Sequence, residues 1–263
     1  MKKEKILIVA HPDDEIIFFS SILKSVDKIL VCFGKSSDND IISQGRKSLQ
    51  KNYPLTNIEW LNLNETDTYQ ASNWDKPIPT EDGLEVNRNK IAYREMYDDL
   101  CKILKNKIAP YDIVYTHNPW GEYGHEEHVC IFNSVQSSMK GFSKKLYVSC
   151  YASDRSEKLY LIKKHLLNDE IQEAKVPKEL CYEIKNLYLE NNCWTWDNNY
   201  EWPNLEFFIE VGNFEFKNID NINTSNIESS IIVLSKKYKK NILRSILSKI
   251  ILKPIKSIFN KKY

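Results

Sequence analysis

Short apolar runs alternate with longer amphipathic segments along this chain. Six runs rich in β-branched and aromatic residues predict strands at residues 5–10, 28–33, 57–63, 112–116, 145–152 and 205–211. Segments with helical patterning predict helices at residues 14–26, 40–53, 84–107, 157–167 and 177–190. Strands that alternate with helices are typical of βαβ units. The pattern therefore predicts an α/β fold with a Rossmann-like, mostly parallel sheet flanked by helices.

Length and composition favour one folded domain in a reducing compartment. The chain has 263 residues, of which 42% are hydrophobic, enough for a sizeable core. Its six cysteines are widely spaced and form no CxxC pair, so the sequence predicts neither a disulfide scaffold nor a cysteine-rich zinc module. The apolar run at residues 6–10 is too short for a signal peptide, and no apolar run reaches membrane-spanning length. We expect a cytoplasmic protein.

The C-terminal segment differs in charge from the rest of the chain. Residues 236–263 contain ten Lys or Arg and no acidic residue, whereas residues 1–235 contain 27 basic and 36 acidic residues. Apolar pairs recur every fourth residue from position 242, which predicts an amphipathic helix. We therefore expect a catalytic domain at residues 1–225 and a basic amphipathic helical tail at 226–263.

Two interpretations of this tail stay open. Residues 236–263 suit peripheral binding to an anionic membrane surface, on the inner face of the membrane. The apolar stripe would equally suit packing on the catalytic domain or on a second subunit. The acidic body and the apolar stripe argue against a nucleic-acid partner.

Histidines and carboxylates follow two of the predicted strands. His11, Asp13 and Asp14 come directly after the first strand, and His125 and His128 follow the fourth. The carboxyl ends of parallel strands meet at one edge of the sheet, so these groups should lie together. Clustered carboxylates repel one another unless a cation compensates. Two His and one carboxylate form a usual zinc set, which His11, Asp14 and His128 would supply.

Each motif is ambiguous when taken alone. An acidic cluster at the start of a helix is commonly a capping and dipole feature, and paired histidines are commonly surface or core residues. Only their joint placement at neighbouring strand ends favours a metal site. Fe²⁺ and Co²⁺ suit the same ligand set as Zn²⁺.

Two motifs resemble those of a known family. Residues Ala10 to Glu15 (AHPDDE) and Thr116 to His128 (THNPWGEYGHEEH) are similar to the motifs of the PIG-L (LmbE-like) zinc-dependent N-deacetylases. The resemblance covers about residues 4–151. It implies that His11, Asp14 and His128 bind Zn²⁺ and that Asp13 is the general base. His125, in protonated form, would assist as a polarising group or acid.

The implied reaction is hydrolysis of the N-acetyl group of an N-acetylated amino sugar or glycoconjugate of the GlcNAc type, in glycan or glycolipid biosynthesis. The chain departs from the family at Glu127, where Asp is usual, and in the bulky segment that follows Glu15. Arg46 lies near the position of a substrate-contacting Arg in the family. Trp120 and Tyr123 are candidates for a sugar-stacking wall, although packing of their own loop competes with that role.

Two other functions stay open from the sequence. A catalytically silent sugar-binding or scaffold protein could retain this fold, and an amidohydrolase for a non-sugar N-acyl metabolite could use the same metal chemistry. The intact His11, Asp13, Asp14 and His128 favour an active hydrolase over the silent protein.

Overall fold

The computed structural model describes residues 2–212 and 225–234. The strands in this part of the chain are β1 (Lys5–Val9), β2 (Lys28–Lys35), β3 (Ile58–Asn64), β4 (Pro79–Thr80), β5 (Gly83–Leu84), β6 (Ile113–Thr116), β7 (Lys145–Ser149), β8 (Tyr151–Ala152), β9 (Leu167–Lys175), β10 (Leu205–Val211) and β11 (Ile232–Val233). The helices are α1 (Asp14–Phe18), α2 (Asp40–Leu49), α3 (Lys90–Ile108), α4 (Glu126–Ser138), α5 (Glu157–Lys163), α6 (Lys178–Glu190) and α7 (Ser225–Ser230). Short 3-10 turns follow α1 at Ser20–Ile22 and α5 at Lys164–Leu166.

Seven strands form the central sheet in the order β3-β2-β1-β6-β7-β10-β9. The first five in this order are parallel, whereas β10 is antiparallel to both β7 and β9. The chain order reverses between β1 and β6, and ligands of open α/β sheets bind in the crevice beyond such a reversal. The predicted α/β class and mostly parallel sheet are confirmed.

Helices cover both faces of the sheet, which is why its inner strands are apolar throughout. In β1, Ile6 and Ile8 pack in one hydrophobic cluster and Leu7 and Val9 in the other. Residues of α3 and α4 complete the first cluster, and residues of α1 and α6 complete the second. A strand buried on both faces loses the alternation of apolar and polar residues, as the sequence of β1 shows.

Several elements differ from their predicted bounds. The first helix was predicted at residues 14–26 but ends at Phe18. Beyond this point the hydroxyls of Ser20 and Ser21 donate to the buried carboxylate of Glu206, at 2.8 and 2.6 Å. The third helix starts at Lys90, after Asn89 adopts a left-handed conformation with φ of 51°. The edge strand β9 was not predicted, since its sequence is mostly polar and lacks alternation.

Some predictions fall on the segment after residue 234. The proposed amphipathic helix and its interaction with a membrane lie outside the described residues, so the division into a catalytic domain and a tail stays a prediction. Within residues 2–212 and 225–234, no helix combines the length and apolar character needed to span a bilayer.

Candidate active site

The reversal between β1 and β6 brings the two predicted motifs together. His11 and Asp13 follow β1, and Asp14 begins α1. His125 is the N-cap of α4, and His128 lies in its first turn. All five side chains are at most 8% exposed. The structure thus places the predicted catalytic and metal-binding residues in one buried cluster.

Three ligand atoms form a nearly equilateral triangle. Asp14 Oδ2 lies 3.2 Å from His11 Nδ1 and 3.2 Å from His128 Nε2. The two ring nitrogens are 3.3 Å apart. Bonds of about 2.0–2.1 Å to a tetrahedral zinc ion place ligand atoms about 3.3 Å from one another. His11, Asp14 and His128 therefore fit a divalent metal ion.

Two further histidines lie beside this triangle. The candidate ligand atoms of His125, His11 and His128 lie within 4.8 Å of one another, and so do those of His117, Asp14 and His128. However, His117 Nε2 already accepts a hydrogen bond of 2.9 Å from the backbone N–H of Ala10. The lone pair of this nitrogen is engaged in the fold, which favours His11 as the ligand.

Buried carboxylates orient both histidines of the triangle. Glu127 Oε2 lies 2.8 Å from His11 Nε2, and Glu122 Oε2 lies 2.8 Å from His128 Nδ1. Each histidine therefore directs its other nitrogen to the centre of the triangle, as metal-bound histidines usually do. Glu127 reaches its partner although the family usually has the shorter Asp here. Its other oxygen accepts hydrogen bonds from the backbone and hydroxyl of Thr66.

Glu122 also supports the histidines, a role that was not predicted from the sequence. This side chain is fully buried between His117 and His128, in a turn flanked by two glycines with positive φ. Burial alone would raise its pKa, but His117 and the hydrogen bonds from both rings hold the pKa of Glu122 at about 2. In the sequence, the position of Glu122 between His117 and His128 was the signal that could have indicated this role.

Asp13 is held in a strained backbone conformation with φ of 95°. Its backbone N–H donates to Glu15 Oε2 at 2.9 Å and to the Tyr188 hydroxyl at 2.8 Å. Glu15 thus supports the backbone of Asp13. Asp13 Oδ2 accepts hydrogen bonds from the backbone N–H of Thr195 at 3.0 Å and from the Thr195 hydroxyl at 2.6 Å. Burial, together with the charge of Asp14, raises the pKa of Asp13 to about 7.

His125 is a neutral hydrogen-bond donor in this arrangement. Its Nδ1 accepts from the backbone N–H of Glu127 at 3.2 Å, so the proton of the ring is on Nε2. Burial, followed by the charges of His128 and His11, holds the pKa of His125 well below its usual value. In this arrangement the protonated form expected for His125 is disfavoured, and Nε2–H provides a neutral donor. The role of His125 in catalysis stays a prediction.

A cavity of about 430 Å³ opens beside these residues and is lined by His11, Asp13, His125, Arg46 and Tyr123, among others. The buried guanidinium of Arg46 pairs with Glu65. Tyr123 packs against Trp196, which also lines the cavity, at a centroid distance of 4.7 Å. Arg46 and Tyr123 thus line the cavity, and their contact with substrate stays a prediction.

The prediction that Trp120 contacts substrate is wrong. Its side chain is fully buried in the core, and its indole N–H donates to the carbonyl of Tyr151 at 2.7 Å. The alternative interpretation, in which Trp120 packs within the protein and holds its own loop, agrees with these contacts. Two tryptophans further along the chain differ in position. Trp202 donates to the carbonyl of Ile16 at 2.6 Å and so anchors its loop, whereas Trp196 lines the cavity.

Comparison with known proteins identifies the family. Residues 6–139 match the family model described as PIG-L: GlcNAc-PI de-N-acetylase. The chain belongs to the PIG-L family. A stretch of 150 residues is 30% identical to the uncharacterized protein L374 of Acanthamoeba polyphaga mimivirus, and covers 49% of this chain and 55% of that protein. The chain thus spans about half the length of this relative.

Several solved structures are similar at low identity. A deacetylase–teicoplanin complex from teicoplanin biosynthesis is 11% identical with a TM-score of 0.46, and the match covers 79% of this chain and 98% of that one. The zinc-inhibited form of the teicoplanin deacetylase Orf2 is 12% identical with a TM-score of 0.48 and the same coverage. The A40926 pseudoaglycone deacetylase Dbv21 is 10% identical with a TM-score of 0.46, covering 82% and 100%.

Proposed function

We propose that this chain is a divalent-metal-dependent N-deacetylase that hydrolyses the N-acetyl group of an N-acetylated amino sugar or glycoconjugate. The triangle of His11 Nδ1, Asp14 Oδ2 and His128 Nε2, with its sides of 3.2–3.3 Å, carries this proposal. The buried carboxylate of Asp13 follows His11 by two residues and lines the same cavity. The family description supports the N-acetylated sugar as substrate.

His11, Asp14 and His128 would hold the metal ion, and we propose Zn²⁺ because two imidazoles and one carboxylate are a usual catalytic zinc set. When bound, such an ion lowers the pKa of water and polarises an amide carbonyl. Fe²⁺ and Co²⁺ remain alternatives with the same ligands.

Asp13 is the proposed general base. It removes one proton from the attacking water, whose oxygen forms a bond to the acetyl carbon. Burial raises the pKa of Asp13 above that of an ordinary carboxyl group, which suits a group that must both accept and return a proton. The C–N bond then breaks as Asp13 returns this proton to the nitrogen. The second proton of the water passes from the new carboxyl group to the amine, so acetate and the ammonium form of the amino sugar are the products.

His125 is proposed to stabilise the negative charge that develops on the carbonyl oxygen. Its Nε2–H is the free donor of a neutral ring, because Nδ1 is engaged by the backbone of Glu127. A fixed donor in a buried site stabilises such charge without reorganisation during the reaction. The position of His125 in the lining of the cavity supports this role.

The aromatic wall suits a sugar ring. Tyr123 and Trp196 line one side of the cavity, and Arg46 lies among the other lining residues. Aromatic faces pack against the apolar face of a pyranose, and polar groups around them bind its hydroxyls. We propose that the substrate belongs to glycan or glycolipid biosynthesis, and that residues 236–263 bring the enzyme to the inner face of an anionic membrane.

The test is amine release from a panel of N-acetylglucosamine conjugates by metal-stripped protein, with and without added Zn²⁺. We expect release to return with Zn²⁺ and to be lost in Asp13→Asn, while metal content stays unchanged. Asp99→Asn is a matched control, since Asp99 lies on the surface of α3 and pairs with Lys102. Metal binding without release from any sugar would refute the proposal and favour a non-sugar amide or a silent binding protein.

A further inference from the structure

Carboxylates outnumber cationic side chains around the proposed substrate cavity. Its lining contains two guanidiniums, Arg46 and Arg88, and six carboxylates: Asp13, Asp14, Asp38, Glu65, Asp67 and Glu127. A divalent ion at the triangle adds two positive charges. With all carboxylates ionised, this still leaves two negative charges in excess, and protonation of one carboxylate does not reverse the sign.

Both guanidiniums already have carboxylate partners. Arg46 pairs with Glu65 in a buried contact. Arg88 donates to the carbonyls of Asp67 and Tyr69, at 2.7 and 2.5 Å, and lies 3.3 Å from Asp67 Oδ1. At Arg88, a phosphate would need to displace these acceptors before it could form the bidentate contact that Arg usually provides. Arg46 Nε has no hydrogen-bond partner among the described residues, but the carboxylate of Glu65 beside this guanidinium would repel a phosphate there.

The cavity is small enough that the excess negative charge would repel an anionic group at any position within it. A volume of about 430 Å³ corresponds to a sphere roughly 9 Å across, which is comparable with a Debye length of about 10 Å in 0.1 M salt. We propose that the cavity selects uncharged N-acetylated glycosides over phosphorylated or nucleotide-linked sugars. This specificity rests on the proposed deacetylase function and would also favour binding of the ammonium group of the product.

The metal-loaded enzyme provides the test, with methyl N-acetylglucosaminide, N-acetylglucosamine 1-phosphate and UDP-N-acetylglucosamine as probes. We expect kcat/KM for the methyl glycoside to exceed that for the 1-phosphate by about tenfold at low salt, from repulsion across the cavity. Added NaCl should reduce this ratio, because salt screens charges in the open cavity.

Matched variants locate the source of the selectivity. Asp67→Asn removes a lining charge and the carboxylate that neutralises Arg88, while the bonds from Arg88 to two backbone carbonyls remain, so the ratio should fall by several-fold. Glu81→Gln is the control, because Glu81 forms a similarly exposed pair with Arg94, at 3.0 Å, and does not line the cavity. Its ratio should equal that of the wild type.

Three outcomes would overturn the inference. Equal or faster turnover of the 1-phosphate would refute it while leaving the deacetylase function intact. An equal change of the ratio in both variants would show that the lining charge does not determine specificity. Failure of all three probes with metal bound, together with failure of other N-acetylated sugars, would refute the proposed function and this inference with it.

Discussion

Thr195 is expected to position the general base, although it lies 182 residues from Asp13 in the sequence. Its hydroxyl and backbone N–H both donate to Asp13 Oδ2, at 2.6 and 3.0 Å, and thereby fix one oxygen of the carboxylate. Thr195→Val removes the hydroxyl bond but keeps the shape of the side chain and the backbone bond. This substitution therefore isolates one contact to the base.

The magnitude follows from the kind of hydrogen bond that is lost. A hydroxyl bond to an ionised carboxylate contributes about 1.5–3 kcal/mol. Each 1.4 kcal/mol, approximately, corresponds to a factor of ten in rate. Because the backbone N–H still holds the carboxylate, we expect the lower part of this range, a fall in kcat of about 10- to 30-fold. KM should change little, since binding of the substrate does not require this bond.

Steady-state kinetics of metal-loaded variants measure this effect. Thr195→Ser keeps the hydroxyl and should retain kcat within about threefold of the wild type. Thr80→Val is a control, because the Thr80 hydroxyl donates to the carboxylate of Asp82 at 2.5 Å, outside the cavity lining. An unchanged kcat in Thr195→Val, or an equal loss in Thr195→Ser, would refute the positioning role.

Other predictions concern the supporting residues. Glu122→Gln should weaken Zn²⁺ binding by about 10- to 100-fold in a chelator competition, because His128 loses its charged partner; unchanged affinity would argue against that support. Trp120→Ala should lower the free energy of unfolding in urea by about 3–5 kcal/mol, and a change confined to KM would instead indicate substrate contact. Burial raises the pKa of Glu15 to about 7, so its contribution to stability is present below about pH 4 and is lost as the pH rises through about 7. The unfolding free energy of metal-free wild type relative to Glu15→Gln should therefore fall between about pH 5 and pH 8, and a constant difference would contradict this.

The sequence predicted the parallel part of the sheet because those strands are buried on both faces. Burial requires apolar residues, as in β1 and β6, and apolar runs between helices are visible without a structure. The edge strand β9 has one exposed side and a mostly polar sequence, so no apolar pattern marked it. The antiparallel direction of β10 is set by its pairing with β7, which local sequence does not determine.

The proximity of the candidate metal ligands could also be predicted from the sequence. His11, Asp14 and His128 lie at the ends of adjacent strands or shortly after them, so the topology alone brings them together. Thr195 reaches Asp13 from a loop after α6, and no local pattern indicates that approach. Trp120 was misassigned because a loop aromatic beside a candidate site has the same sequence pattern whether it faces the cavity or the core.

Anomalous diffraction at the zinc edge, from crystals of the metal-loaded protein, tests the central claim most directly. We predict one strong peak at about 2.0–2.2 Å from His11 Nδ1, Asp14 Oδ2 and His128 Nε2. A peak bound by His117 in place of His11, or no peak near Asp14 in a protein with bound zinc, would contradict it.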